Sequence, residues 1–150
     1  MYRTHTLFAN RTGRTVEFKV VDITGSNELF IDDILIAAIR EPFDDMFTES
    51  FDAPDLNPMM SISQKCTYTL APGFRTSPLL GGGMAWGFGR SDSRVGALDN
   101  YVTRIVLTLP EPRFIKAVLF KEAEQDTNWG NQGSVYVDDT EVPKDRKSVV

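Results

Sequence analysis

Apolar and polar positions alternate along much of this chain. From Arg14 to Ile23, Val16, Phe18 and Val20 face one way while Glu17 and Lys19 face the other. That two-residue period belongs to a half-buried strand. The same period runs through Cys66, Tyr68 and Leu70, and again through Thr103, Ile105, Leu107 and Leu109. Thr4 to Ala9 predicts a first strand, and Gly133 to Asp138 a last short one through Val135 and Val137. Arg113 to Lys121 is apolar on both faces, as in a central strand. Glu28 to Arg40 leaves a strand, two short strands or a short helix open, with Phe30 and Ile31 favouring a strand at its start.

Turn residues punctuate these runs. Asn10-Arg11-Thr12-Gly13, Thr24-Gly25-Ser26-Asn27 and Ala71-Pro72-Gly73 read as turns, and Pro110-Glu111-Pro112 as a break. Glu41 to Ser61 holds Pro42, Pro54, Pro58 and many acids, which predicts a long loop with one helical turn at Asp44 to Phe51. Glu122 to Gly133 reads as a polar loop. Many short strands with no long helical period predict an all-β chain, a single-domain antiparallel β-sandwich over residues 1–142. The acidic excursion at about 28–61 is its loop insertion, and 143–150 a flexible tail.

Composition sharpens this. A chain of 150 residues suits one domain with a proper core. The net charge of −5 argues against bulk binding of nucleic acid. Between Glu28 and Asp55 nine acids stand against one base, Arg40, so the rest of the chain is basic. Asp32, Asp33, Asp44 and Asp45 are the candidates to meet a basic partner on that acidic stretch. Cys66 stands alone, which excludes an internal disulfide. The N-terminus shows no signal peptide and no apolar run is long enough to span a membrane as a helix. The expected location is therefore soluble, in the cytoplasm or released by a non-classical route.

Candidate chemistry centres on Gly81 to Asp92, which packs five glycines, Trp86 and an Arg90-Ser91-Asp92 exit into twelve positions. On a strand, Met84, Trp86 and Phe88 share one face, and Ala85 and Gly87 leave the other nearly bare. The glycines lack the Lys-Ser/Thr of a phosphate loop. His5, the single histidine, has no serine or cysteine beside it, so no catalytic residue is assigned. The acid pairs Asp32-Asp33, Asp44-Asp45 and Asp138-Asp139 do not follow the spacing of a calcium loop. Neither metal nor cofactor is implied. Trp129, set between Asn128 and Gly130, has a polar loop around it and suits a ligand face, as does Tyr101.

Gly89-Arg90-Ser91-Asp92 with Gly96, then Asn128-Trp129-Gly130-Asn131 before a final strand, resembles the aegerolysins. Asn10-Arg11-Thr12-Gly13-Arg14-Thr15, and Ala117-Val118-Leu119-Phe120 ahead of Trp129, resemble the actinoporins and similar small cytolysins. These short segments imply a non-enzymatic β-sandwich that binds a membrane lipid, as one part of a pore-forming pair, with Arg90, Asp92 and Trp129 as the residues that carry over. Trp86 and Tyr101 would support the same ligand face. Two other readings stand beside it. One is an acidic immunity or inhibitor protein that plugs a basic partner. The other is a carbohydrate-binding or structural subunit, for which a homo-oligomer is expected.

Overall fold

The computed structural model describes residues 2–20, 29–40, 43–52, 57–64, 68–70, 73–76, 83–91, 103–123 and 133–144. Every regular element among them is a strand: β1 (Tyr2–Val20), β2 (Phe30–Arg40), β3 (Phe43–Glu49), β4 (Met60–Gln64), β5 (Tyr68–Leu70), β6 (Gly73–Thr76), β7 (Met84–Gly87), β8 (Arg90–Ser91), β9 (Thr103–Ala123), β10 (Gly133–Val137) and β11 (Thr140–Val142). Nine of them form one antiparallel sheet in the order β11-β10-β1-β9-β2-β7-β6, with β3 on the edge of β2 and β4 beside β9. β5 and β8 pair separately. The chain is all-β, as its periodicity predicts. The large sheet curls into a half-barrel, where the sequence led to the expectation of two face-packed sheets.

The curl originates in β1 and β9, which pair from Tyr2↔Ala123 to Val20↔Thr103. The turn expected at Asn10–Gly13 and the break expected at Pro110–Pro112 are instead irregularities inside these two continuous strands. Between Phe8↔Ala117 and Arg11↔Ile115, β1 carries one extra residue, and Asn10 there takes φ 49°. Asparagine tolerates that left-handed backbone better than most residues. Between Gly13↔Arg113 and Thr15↔Thr108, Leu109 to Pro112 stand opposite Arg14 alone. Pro110 and Pro112 have no N–H to give, and they fall where the ladder is interrupted. Arg14 fills the gap, its Nε donating to the Leu109 carbonyl at 2.8 Å and its Nη2 to the Pro110 carbonyl at 3.3 Å. Such bulges raise the local twist and bend the strands. Gly13 lies at this corner. A Cβ there would stand 2.5 Å from Val137 Cγ1, so only glycine lets β10 approach so closely.

The concave side holds the core. Val16, Phe18, Val20, Ile105, Leu107, Leu109, Val135 and Val137 alternate inward with no measurable exposure. Each fully buried side chain of this size contributes about 2 kcal/mol of transfer free energy. Leu7, Ile36, Val118 and Phe120 continue the core along the other half of the sheet. Phe18 meets Phe120 edge-on at 5.2 Å between centroids, joining the two halves.

The segment expected as an acidic loop contains two strands. β2 runs unbroken as far as Arg40, and β3 pairs with it from Arg40↔Phe43 to Ile34↔Glu49. Its two-residue period was hidden because acids occupy inward as well as outward positions. Asp45 and Glu49 sit at inward positions and are satisfied there. Arg113 Nε donates to Asp45 Oδ2 at 2.7 Å, and the Phe51 N–H donates to Glu49 Oε2 at 2.6 Å.

The glycine-rich stretch enters the sheet as β7, with Trp86 3% exposed and Phe88 fully buried. The face expected to be bare is buried too, since Ala85 and Gly87 are both enclosed. No helix among the described residues is long and apolar enough to cross a membrane.

Candidate binding face

Residues paired in an antiparallel ladder carry their side chains on the same face. Phe8↔Ala117, Ala37↔Ala117 and Ala37↔Met46 therefore set Phe8, Ala117, Ala37 and Met46 in one row across β1, β9, β2 and β3. The row on one side is Thr6, Leu119, Leu35 and Thr48. The row on the other is Thr12, Phe114, Ile39 and Asp44. Their sequence neighbours Leu7, Ile36 and Val118 point into the core, so these rows form the outer, convex face. Phe8 is 66% exposed, Met46 64% and Phe114 38%. A single exposed apolar residue needs no explanation, whereas three in adjacent rows make a patch.

A hollow of about 190 Å³ opens at the end of this face, lined by Asp33, Ile34, Leu35, Thr48, Glu49 and Ser50. It exists because β2 bulges there. Between Asp32↔Lys121 and Leu35↔Leu119 β2 carries one extra residue, and Asp33 takes φ 49°. Lys121 Nζ stands 3.0 Å from Asp33 Oδ2 and ties the bulge to β9.

The structure disperses the sequence-predicted site. Trp86, expected to help bind a ligand, is core: its ring packs 5.6 Å from Phe74 and 6.1 Å from Phe51. Among the described residues its Nε1–H finds no acceptor. Arg90 opens β8 opposite Leu70. Asp92, Tyr101 and Trp129 lie outside the described residues. The four candidate acids do not share a surface. Asp44 is exposed on the outer face, while its neighbour Asp45 turns inward to Arg113, as strand alternation demands. Asp33 is exposed, but Asp32 is 6% exposed. Burial pushes the Asp32 carboxyl up to about 6, reinforced by Asp33 and Asp52 and opposed by the Asp33 N–H and Lys121.

Of the acid pairs weighed for calcium, Asp138-Asp139 forms the tight turn between β10 and β11, both residues with positive φ. Asp138 Oδ1 accepts from the Arg14 and Thr15 N–H groups at 3.0 and 2.9 Å and from Thr15 Oγ1 at 3.0 Å. Those bonds, led by the Thr15 N–H, hold its carboxyl below the usual range. Among the described residues no group of three or more His, Cys, Asp or Glu could hold a metal ion.

Sequence reasoning missed Glu122, placed in a polar loop. It belongs to β9, has no exposure, and its Oε1 lies 2.6 Å from His5 Nε2. The His5 ring stacks on Phe120 at 4.9 Å. Arg3 Nε stands 3.9 Å from the same carboxylate oxygen. The signal that could have found this pair is the strict alternation Val118, Phe120, Glu122, which continues the inward face past the apolar run. Sequence reasoning also missed Phe8, Met46 and Phe114. Each looks like a core residue until strand register places it outside.

Comparison with protein-family models, with curated proteins and with solved structures finds no match to this chain.

Proposed function

We propose that this chain is a non-enzymatic β-module that binds another protein through the outer face of β1, β9, β2 and β3. The observation that carries this is the row Phe8, Ala117, Ala37, Met46, apolar from end to end and with its two large members about two-thirds exposed. An apolar face with polar, uncharged flanks such as Thr6, Thr12 and Thr48 has the make-up of an interface core. The lipid reading implied by the cytolysin resemblance would draw on the same exposed Phe8 and Phe114. It is less well supported, because the rows contain no tryptophan, tyrosine or cluster of Lys and Arg to engage headgroups. The acidic-plug reading is weakened because Asp45 is paired and Asp32 is buried.

The test is photo-crosslinking in the cells that make the protein, with a benzophenone side chain in place of Met46 or Phe8. Adducts with a polypeptide from both positions, and none from the exposed Thr140 on β11, are expected. Failure of both positions to crosslink any polypeptide, or sedimentation of the chain with phosphatidylcholine or phosphatidylserine vesicles that Phe8→Glu abolishes, would overturn it.

A further inference from the structure

We infer that the partner of this face is a second copy of the chain, packed face to face about a two-fold axis. The inference rests on the reading of the outer face as protein-binding. Three observations identify the occupant. First, the face carries both a projection and a recess. Met46 projects from β3, 64% exposed. The hollow, lined by Leu35, Thr48 and Ser50 together with Ile34 and the acids Asp33 and Glu49, begins in the next row of the same two strands. A two-fold axis crossing the strands between them puts Met46 of each copy over the hollow of the other. That is the reciprocal contact that an isologous interface requires. A methionine side chain is flexible enough to seat against the apolar Ile34 and Leu35 side of such a recess.

Second, the charges allow self-apposition. The chain carries −5 overall, and a face with that sign would repel its own copy. This face does not share the bias. Its central rows hold Thr6, Leu119, Leu35 and Thr48 beside Phe8, Ala117, Ala37 and Met46, with no charge among them. At one end Asp33 is neutralised by Lys121. At the other, exposed Asp44 and exposed Lys116 provide one charge of each sign.

Third, the small area limits the strength. Four strands about 4.8 Å apart and some six residues long present on the order of 400 Å². A standard interface buries about 800 Å² per partner. The pair is therefore reversible, with dissociation in the micromolar range or weaker, and its population depends on concentration.

The test is sedimentation equilibrium of the full chain from micromolar to millimolar concentration. The weight-average mass is expected to rise from 16.8 kDa toward twice that value. Met46→Asp should weaken the association about tenfold or more, as loss of a central apolar contact does. Met46 is mostly exposed, so this variant keeps its far-ultraviolet circular dichroism and urea midpoint. Phe8→Asp on the neighbouring strand provides a second, independent disruption. A mass that stays at 16.8 kDa throughout overturns the second copy as partner. So does an association that neither Met46→Asp nor Phe8→Asp weakens. If the mass stays constant while benzophenone at position 46 still captures a different polypeptide in cells, the protein-binding reading stands and only the self-association falls. If neither occurs, both fall.

Discussion

Replacing Asp32 with asparagine isolates the energetic cost of one buried charge. The side chain is 6% exposed and its Oδ1 accepts the Asp33 N–H at 2.8 Å. Asparagine keeps that acceptor and nearly the same volume, so the change removes the charge and little else. In the folded chain the carboxyl titrates at about 6 against an ordinary 3.8, mainly because burial disfavours the anion. A carboxyl raised in this way binds its proton more tightly in the folded state. Between about pH 4 and pH 6 the folded state therefore holds more protons than the unfolded state, and stability falls as pH rises through that window. Above about pH 6 the loss is complete. At about 1.4 kcal/mol per pH unit the limit is about 3 kcal/mol, and solvent screening reduces it to about 1–2 kcal/mol. The assay is urea unfolding of both proteins across this range. Asp32→Asn should be more stable than the parent by about 1–2 kcal/mol at neutral pH, with the difference vanishing near pH 4. A variant less stable at neutral pH, or a difference that does not change with pH, would refute the argument that desolvation dominates.

Two further outcomes follow from single contacts. Asp138→Ala removes three hydrogen bonds to Arg14 and Thr15 and places alanine at φ 45°, so it should cost about 2–3 kcal/mol in thermal or urea unfolding. Because the Asp138 carboxyl is held low, its contribution is present above the ordinary carboxylate range and lost as pH falls through its folded value, so the gap to alanine should narrow in strong acid. Trp86→Phe removes an indole N–H that has no acceptor among the described residues, which offsets the small void left behind, so urea unfolding should shift by less than about 1 kcal/mol. Trp86→Ala should cost about 3–5 kcal/mol, and a Phe variant that loses as much would show that the N–H is bonded after all.

Strand class was legible in this sequence because burial on one side of a sheet imposes a period of two. It was legible at Val16, Phe18 and Val20, and at Ile105, Leu107 and Leu109, where the outward positions are polar or small. It failed where that contrast failed. β3 places Asp45 and Glu49 inward, and their partners Arg113 and the Phe51 N–H come from outside the strand. Glu122 continues the inward face of β9 but reads as the start of a loop, because its partner His5 is distant in sequence. Pro110 and Pro112 look like a strand break, and only the pairing with β1 shows that the ladder absorbs them. The outer face was illegible for a related reason. Phe8, Met46 and Phe114 are apolar, and composition assigns apolar residues to the core. Their exposure follows from register, which depends on bulges at Asn10, Asp33 and Lys116 that no local pattern marks.

Two strands carry contrasting outer faces along their length. β1 and β9 pair along their whole length, and both halves bury an inward row. In the half containing Thr15 to Val20 the outer face is charged and internally satisfied. Glu17 Oε2 lies 3.5 Å from both Arg104 Nη1 and Lys19 Nζ, and Lys19 sits 4.3 Å above the Tyr136 ring. In the half containing Thr4 to Thr12 the outer face holds Phe8, Ala117, Leu119 and Phe114. The inward rows differ, His5, Glu122 and Arg113 standing among the apolar side chains of one half alone, but these polar groups are paired on the inward side and set no requirement on the outer face. Folding alone would accept polar residues at all of these positions, and they would lower the hazard of an exposed apolar sheet. The apolar half begins at the bulge where Leu109 to Pro112 interrupt the ladder, so the change in surface coincides with the bend in the sheet. A surface that differs from its neighbour only where the fold is indifferent is best explained by something that covers it.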